Sequence, residues 1–169
     1  MKVFYVFYIP TPLGHMAAIA DHEFLYLLDF IEHSKYDRNR ARLQQQTQAT
    51  IVPVKTAIID LLEHELKLYF RGMLQQFTTP VAFTGSPFQK RVWQELQKIP
   101  FGCTYSYAQL AHQIAQPSAF RAVANSNGAN KLLIVIPCYC VINTNGKLGG
   151  YAGGLNRKML LLEHEKRGL

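Results

Sequence analysis

Cys138 stands directly behind Pro137 at the end of an apolar run, Leu132-Leu133-Ile134-Val135-Ile136. A thiol placed there can act as a nucleophile, because its thiolate attacks electrophilic carbon more readily than oxygen does at neutral pH. Proline fixes φ and removes an N–H, so the residue after it leaves its element in a set direction. The run at 132–136 is too short for a helix and reads as a buried strand. The same surroundings suit an inert core cysteine, since a free thiol packs as a small hydrophobe. Cys140 follows two residues on, and in an extended segment the two thiols would face the same way. A Cys-x-Cys pair opens redox and metal readings, but no second ligand pair has zinc-like spacing. His15, His22, His33, His64, His112 and His164 show no metal spacing and read as surface residues.

The rest of the C-terminal half gives the cysteine its context. Pro87-Phe88-Gln89-Lys90-Arg91-Val92-Trp93, Ile99-Pro100-Phe101-Gly102, Thr104-Tyr105-Ser106-Tyr107, Arg121-Ala122-Val123, Asn130, Pro137-Cys138, Val141 and Gly149-Gly150-Tyr151-Ala152-Gly153-Gly154-Leu155 occur in a fixed order. In that order and spacing the chain resembles the O6-alkylguanine-DNA alkyltransferase family. The resemblance covers residues 86–165. It extends more loosely to the N-terminal half through Thr11-Pro12-Leu13-Gly14 and Tyr69-Phe70-Arg71-Gly72. One departure falls at the reactive position: the family's Pro-Cys-His-Arg-Val is Pro137-Cys138-Tyr139-Cys140-Val141 here.

The resemblance implies a DNA-repair methyltransferase that takes an alkyl group from O6-alkylguanine in double-stranded DNA, with O4-alkylthymine a further substrate. The base is flipped from the duplex and the group passes to Cys138 in a single turnover that consumes the protein. No cofactor is needed, because the thiolate is the acceptor. In the family a histidine beside the cysteine, oriented by a glutamate in the last helix, removes the thiol proton through a water. Glu165 falls on that glutamate's position and Tyr139 on the histidine's. A phenol with pKa near 10 is a poor base at neutral pH, so Tyr139 is expected to hold a water or Glu165 and the reaction to be slow. His164, next to Glu165, is a conceivable substitute base. Arg121 resembles the arginine that enters the stack in place of the flipped nucleotide. Tyr107 resembles the tyrosine that crowds the phosphate and donates to the flipped base. Ala119 and Phe120 fall where the family lays small residues along the minor groove, and Phe120 is bulkier than usual. Asn130 corresponds to the asparagine bracing the turn before the cysteine, Val141 to a carbonyl that reads the guanine, and Tyr151 and Ala152 to the pocket loop. Some members carry an N-terminal zinc site. Asp21 and Tyr26 stand at those positions here, so no metal is expected.

Readings from other classes remain: a lesion-binding protein without transfer, a helix-turn-helix regulator, or a thiol-redox protein using Cys138 and Cys140.

The whole chain bounds these readings. Its 169 residues allow two small domains, expected at 1–80 and 81–169. A net charge of +7 favours a polyanionic partner, because basic side chains that neutralise phosphates release counterions. No stretch approaches the roughly 18 apolar residues of a membrane span. The opening segment 1–9 reads as a strand rather than a signal peptide, and three cysteines outside any disulfide framework suit a reducing compartment. A cytoplasmic monomer with no membrane partner is the expectation.

The elements that must hold the site follow from patterning. Residues 3–9, 15–20 and 24–31 read as a small antiparallel sheet. Residues 38–50 read as a weak helix or mobile connection, and apolar positions from Val54 to Tyr69 as a helix ending at Gly72. After a linker at 76–85, Ser86 and Pro87 start a helix that ends before Pro100. Ser106 starts a second helix through Ile114, and Ser118 caps a third running toward Gly128. That pair reads as a helix-turn-helix. The fold expected is α/β (α+β): a small ribonuclease H-like sheet-plus-helix domain, then a mainly helical winged helix-turn-helix domain.

Overall fold

The computed structural model describes residues 2–168. The chain divides into two compact units, Met1–Thr84 and Gly85–Leu169. The first unit contains β1 (Val3–Thr11), β2 (Gly14–Ala20), β3 (Leu25–Phe30), α1 (Tyr36–Thr47), β4 (Thr50–Val52) and α2 (Ala57–Phe70). The strands form one sheet in the order β3-β2-β1-β4, antiparallel except for β4, which runs parallel to β1. At the first turn Thr11 Oγ1 donates to the Gly14 carbonyl at 2.7 Å and accepts from the Leu13 N–H at 3.2 Å.

The stretch expected as a weak helix or mobile connection is the ordered helix α1. Its apolar anchors, Tyr36 and Leu43, lie seven residues apart on one face and join Phe4, Val6 and Leu27 in the core. Two anchors on an otherwise polar helix give little periodicity, yet tertiary burial fixes it. In α2, Thr56 accepts from the Ile59 N–H, and the helix closes at Gly72, where φ is +74°. Glu65 is buried in α2, and its carboxylate accepts the N–H groups of Thr78 and Thr79, each at 2.8 Å. The hydroxyls of both threonines donate to it as well. Leu25 then bonds Pro80 and Ala82 through its backbone. The segment read as a linker is therefore tied to its own unit as far as Ala82.

The second unit contains α3 (Pro87–Leu96), β5 (Tyr105–Ser106), α4 (Tyr107–Gln113), α5 (Phe120–Gly128), a 3₁₀ turn (Cys138–Cys140), β6 (Val141–Ile142) and α6 (Leu155–Arg167). Ser86 with Gln89, and Ser106 with Gln109, form reciprocal capping boxes that fix the starts of α3 and α4. Trp93 Nε1 of α3 donates to the Ser126 carbonyl of α5 at 2.8 Å, and an Arg91 guanidinium N–H donates to the Ile114 carbonyl at 2.6 Å. The three helices are thereby locked around one core, with α4 and α5 as the helix-turn-helix. Ser118 does not cap α5; Ala119 occupies that position without a side-chain bond.

The run at 132–136 is buried but is not a strand. Ile134 adopts φ +71°, and local bonds from Val135 to Leu133 (2.8 Å) and from Ile136 to Leu132 (3.0 Å) fold it into tight turns. Periodicity cannot separate a short apolar strand from a buried turn whose backbone groups are satisfied from within. Cys138 and Cys140 accordingly lie on a 3₁₀ turn rather than in an extended segment. Only Val141 and Ile142 enter a strand, parallel to Tyr105 and Ser106.

Candidate active site

The thiol is seated by two asparagines, Asn127 in the last turn of α5 and Asn130 just beyond it. Asn130 Nδ2 donates toward the Leu132 carbonyl at 3.3 Å, the Ile136 carbonyl at 3.1 Å and the Cys138 Sγ at 3.2 Å. Its Oδ1 accepts from the Leu132 N–H at 3.0 Å. Asn127 Nδ2 donates to the Cys138 carbonyl at 3.2 Å. One buried amide thus holds the turn closed and presents a donor to the sulfur, an arrangement that stabilises a thiolate over a thiol. Cys138 is 1% exposed.

Tyr139 points the other way, toward α6. Its hydroxyl donates to Glu165 Oε2, and the Gly102 N–H donates to Oε1 at 3.1 Å. Glu165 is buried, so each of these donors compensates a carboxylate removed from water. Tyr151 stands edge-on to the Tyr139 ring, with centroids 6.3 Å apart, and Ala152 follows it half-buried. Burial, above all, pushes the Tyr107 hydroxyl above its ordinary pKa; the charge of Cys138 adds to this and a hydrogen bond with Asn127 opposes it. A Cβ on Gly149 would meet the Tyr107 hydroxyl at 3.3 Å, and Gly149 has φ +68°. Glycine there lets the loop backbone lie against the tyrosine.

Burial is also the chief cause that lifts the Cys140 thiol well above its ordinary pKa, with the charges of Glu165 and Cys138 adding to it. Lys158, which the sequence reading passed over, is fully buried on α6. Its Nζ donates to the Val141 carbonyl at 2.6 Å and the Gly150 carbonyl at 3.0 Å. The signal was in the spacing: Lys158, Leu161 and Glu165 fall at three and four residues and form the inward stripe of α6.

Cys138, Tyr139, Glu165, Asn130, Val141, Tyr107 and Tyr151 therefore gather around one turn. Ala119, Phe120 and Arg121 lie at the start of α5, roughly 9 Å along the helix from Asn127. Arg121 is exposed, and Phe120 is 50% exposed. In the first unit Asp21 is paired with Lys2 Nζ at 2.7 Å and Tyr26 packs against Phe4. His33 is not a surface residue: its Nδ1 lies 2.9 Å from buried Asp29.

A cysteine held on a tight turn behind a helix-turn-helix puts this unit in the class of helix-turn-helix domains that carry a buried thiol. Comparison with known proteins narrows the class. Residues 87–167 match the 6-O-methylguanine DNA methyltransferase DNA-binding domain. A methylated-DNA–protein-cysteine methyltransferase of Shigella flexneri is 39% identical over 160 residues, covering 93% of this chain and 92% of the relative. One from Mycolicibacterium paratuberculosis is 50% identical over 103 residues, 61% of this chain and 62% of that protein. The crystal structure of Mycobacterium tuberculosis OGT in complex with DNA superposes with a TM-score of 0.83 at 36% identity, covering 98% of this chain and 94% of that one. The chain belongs to the methylated-DNA–protein-cysteine methyltransferase family. Its fold is α/β, with a sheet unit followed by a helical unit.

Proposed function

We propose that the protein repairs DNA by direct transfer of an alkyl group from O6-alkylguanine to Cys138, once per molecule. The observation that carries this reading is the Asn130 amide, which fixes the turn and donates to the sulfur at 3.2 Å. A thiol built only for packing needs no such donor. In the transfer the Sγ–carbon bond forms as the carbon–O6 bond breaks, and the electron pair goes to the guanine. The proton lost by Cys138 is balanced by one taken up by the base.

A base in a duplex is out of reach of a buried thiol, so it must be turned out at a cost of a few kcal/mol. Arg121 and Phe120, exposed at the start of α5, are placed to enter the stack and the minor groove, with Ala119 beside them. Tyr107, half-buried beside the thiol, donates to the leaving guanine. The Val141 carbonyl and the loop of Tyr151 and Ala152 read its edge. Tyr139 holds Glu165 in place and does not remove the thiol proton. The net charge of +7 suits a DNA partner. Among the described residues no helix is long and apolar enough to cross a membrane. The protein acts as a cytoplasmic monomer on this reading.

Intact-mass measurement after incubation with an O6-methylguanine duplex tests it. A gain of one methyl group, absent from Cys138→Ala, is the expected result. Tight lesion-dependent binding with no mass gain would make the protein a lesion sensor and overturn the transfer reading.

A further inference from the structure

Lys158 is fully buried on α6, and the steps above leave it unused. An ammonium is costly to bury and persists only where acceptors compensate. Here the acceptors come from two different segments. Nζ donates to the carbonyl of Val141, the first residue after the 3₁₀ turn, at 2.6 Å, and to that of Gly150, in the glycine loop, at 3.0 Å. One nitrogen thus holds the strand residue and the loop within a hydrogen bond of a single point. Val141 has a second tie, since it pairs with Tyr105 in the β5–β6 ladder. The loop has little order of its own: four of the six residues 149–154 are glycine, and Gly149 and Gly154 have φ +68° and +94°. Glycine loses more conformational freedom on ordering than any other residue, so such a loop keeps one shape only where something outside it holds it. Burial, the largest influence, lowers the Lys158 pKa to about 8, which leaves it mostly protonated at pH 7. Both bonds are then charge-assisted, the stronger kind.

We propose that Lys158 is a clasp that sets the glycine loop against Val141 and orients the Val141 carbonyl toward the flipped base, so that the pocket selects a base with an amino group on its edge. This rests on the alkyl-transfer reading, in which that carbonyl and the loop of Tyr151 and Ala152 meet the guanine. A carbonyl oxygen has two lone pairs. Lys158 takes one and fixes the direction of the other, which is left for the substrate. O6-alkylguanine carries a 2-amino group that can donate to it, whereas O4-alkylthymine has no N–H on its pairing edge. A fixed acceptor that the wrong base leaves unpaired is an effective discriminator. Lys158 therefore favours guanine over thymine lesions. It is a positioning residue, since it acts through two backbone carbonyls and not on the reacting atoms.

Single-turnover methyl transfer to the wild type and to Lys158→Met, from duplexes carrying O6-methylguanine or O6-methylhypoxanthine, tests this. The second base lacks only the 2-amino group. The variant should be about tenfold slower than the wild type on O6-methylguanine and within about twofold of it on O6-methylhypoxanthine. Duplex affinity, and Cys138 alkylation by iodoacetamide in a Cys103→Ser background, should both stay within about twofold, because neither depends on the base pocket. Equal losses on the two duplexes, or no loss on either, in folded Lys158→Met overturn the proposal. Should that variant not fold, the wild type decides: NMR must show coupling across the hydrogen bonds from Lys158 Nζ to the carbonyl carbons of Val141 and Gly150, and its absence overturns the proposal equally. Failure of the wild type to take a methyl group from O6-methylguanine while that coupling is present would count against the repair reading alone.

Discussion

The Tyr139 hydroxyl donates to Oε2 of Glu165, so the carboxylate two turns beyond Lys158 on α6 is bound by a phenol. A phenol with pKa near 10 gives a hydrogen bond but does not take a proton from a thiol at pH 7. With Gly102 on Oε1, both carboxylate oxygens accept a bond that orients the carboxylate.

Tyr139→His should accelerate transfer. A positioned base contributes about 10²–10⁴-fold, and part of this is already supplied here by donors near the sulfur. We expect single-turnover methyl transfer to rise by about ten- to a hundredfold. Equal rates in the two proteins would show that Cys138 gains nothing from a neighbouring base.

Tyr139→Phe should cost stability rather than chemistry. It removes a donor from a carboxylate that is 3% exposed, and an unsatisfied buried group costs about 1–3 kcal/mol, more when charged. The unfolding free energy from urea denaturation should fall by that amount while the alkylation rate of Cys138 stays within about twofold. A large loss of thiol reactivity would mean that the phenol acts on the sulfur after all.

Asn130→Ala removes donations to two carbonyls and the sulfur together with the acceptor for the Leu132 N–H. We expect a loss of about 2–4 kcal/mol in stability, as several buried groups lose partners at once. Methyl transfer should drop with it, because the turn no longer fixes Cys138. Unaltered transfer by a folded Asn130→Ala protein would remove the amide from the account of activation.

The starts of α3 and α4 could be read because local chemistry specifies them. Ser86 with Gln89 and Ser106 with Gln109 are capping boxes in sequence and in structure. The turn bearing the cysteine could not, since residues 132–136 have strand-like composition, and backbone bonds within the run together with Asn130, bonded across to Ile136, close them into turns. Strand β4 was missed because three residues carry no period, and its pairing with β1 is long-range. Lys158 was missed through a habit of reading lysine as solvated, although its place on the stripe with Leu161 and Glu165 marked it as inward.

Stability should carry the signature of Lys158. Its folded pKa, about 8, lies below the ordinary 10.5, so between these values the unfolded chain binds more protons and stability rises with pH. Below pH 8 both states hold the proton and the full penalty of burying the charge applies. Cys140, whose folded pKa is raised, opposes the trend above pH 9. The difference between wild type and Lys158→Met isolates the lysine, and its slope should be positive from pH 8 to 10. A flat difference in chemical denaturation would mean that Lys158 is not held below its ordinary range.

Phe120 and Arg121 are neighbours at the start of α5, but they should respond to salt differently. Arg121 carries charge, so Arg121→Ala should weaken binding to an O6-methylguanine duplex by about tenfold and reduce the slope of log K against log salt by roughly one. Phe120 is apolar and 50% exposed, and an aromatic ring offered to a duplex gains by stacking or wedging between bases, without displacing counterions. Phe120→Ala should therefore lower affinity by a factor that stays constant from low to high salt, with the slope intact. It should also reduce the fluorescence of a 2-aminopurine placed beside the lesion, since a wedge holds the stack open. Equal affinity in wild type and Phe120→Ala would show that the ring stays in water outside the groove and that Arg121 alone fills the gap.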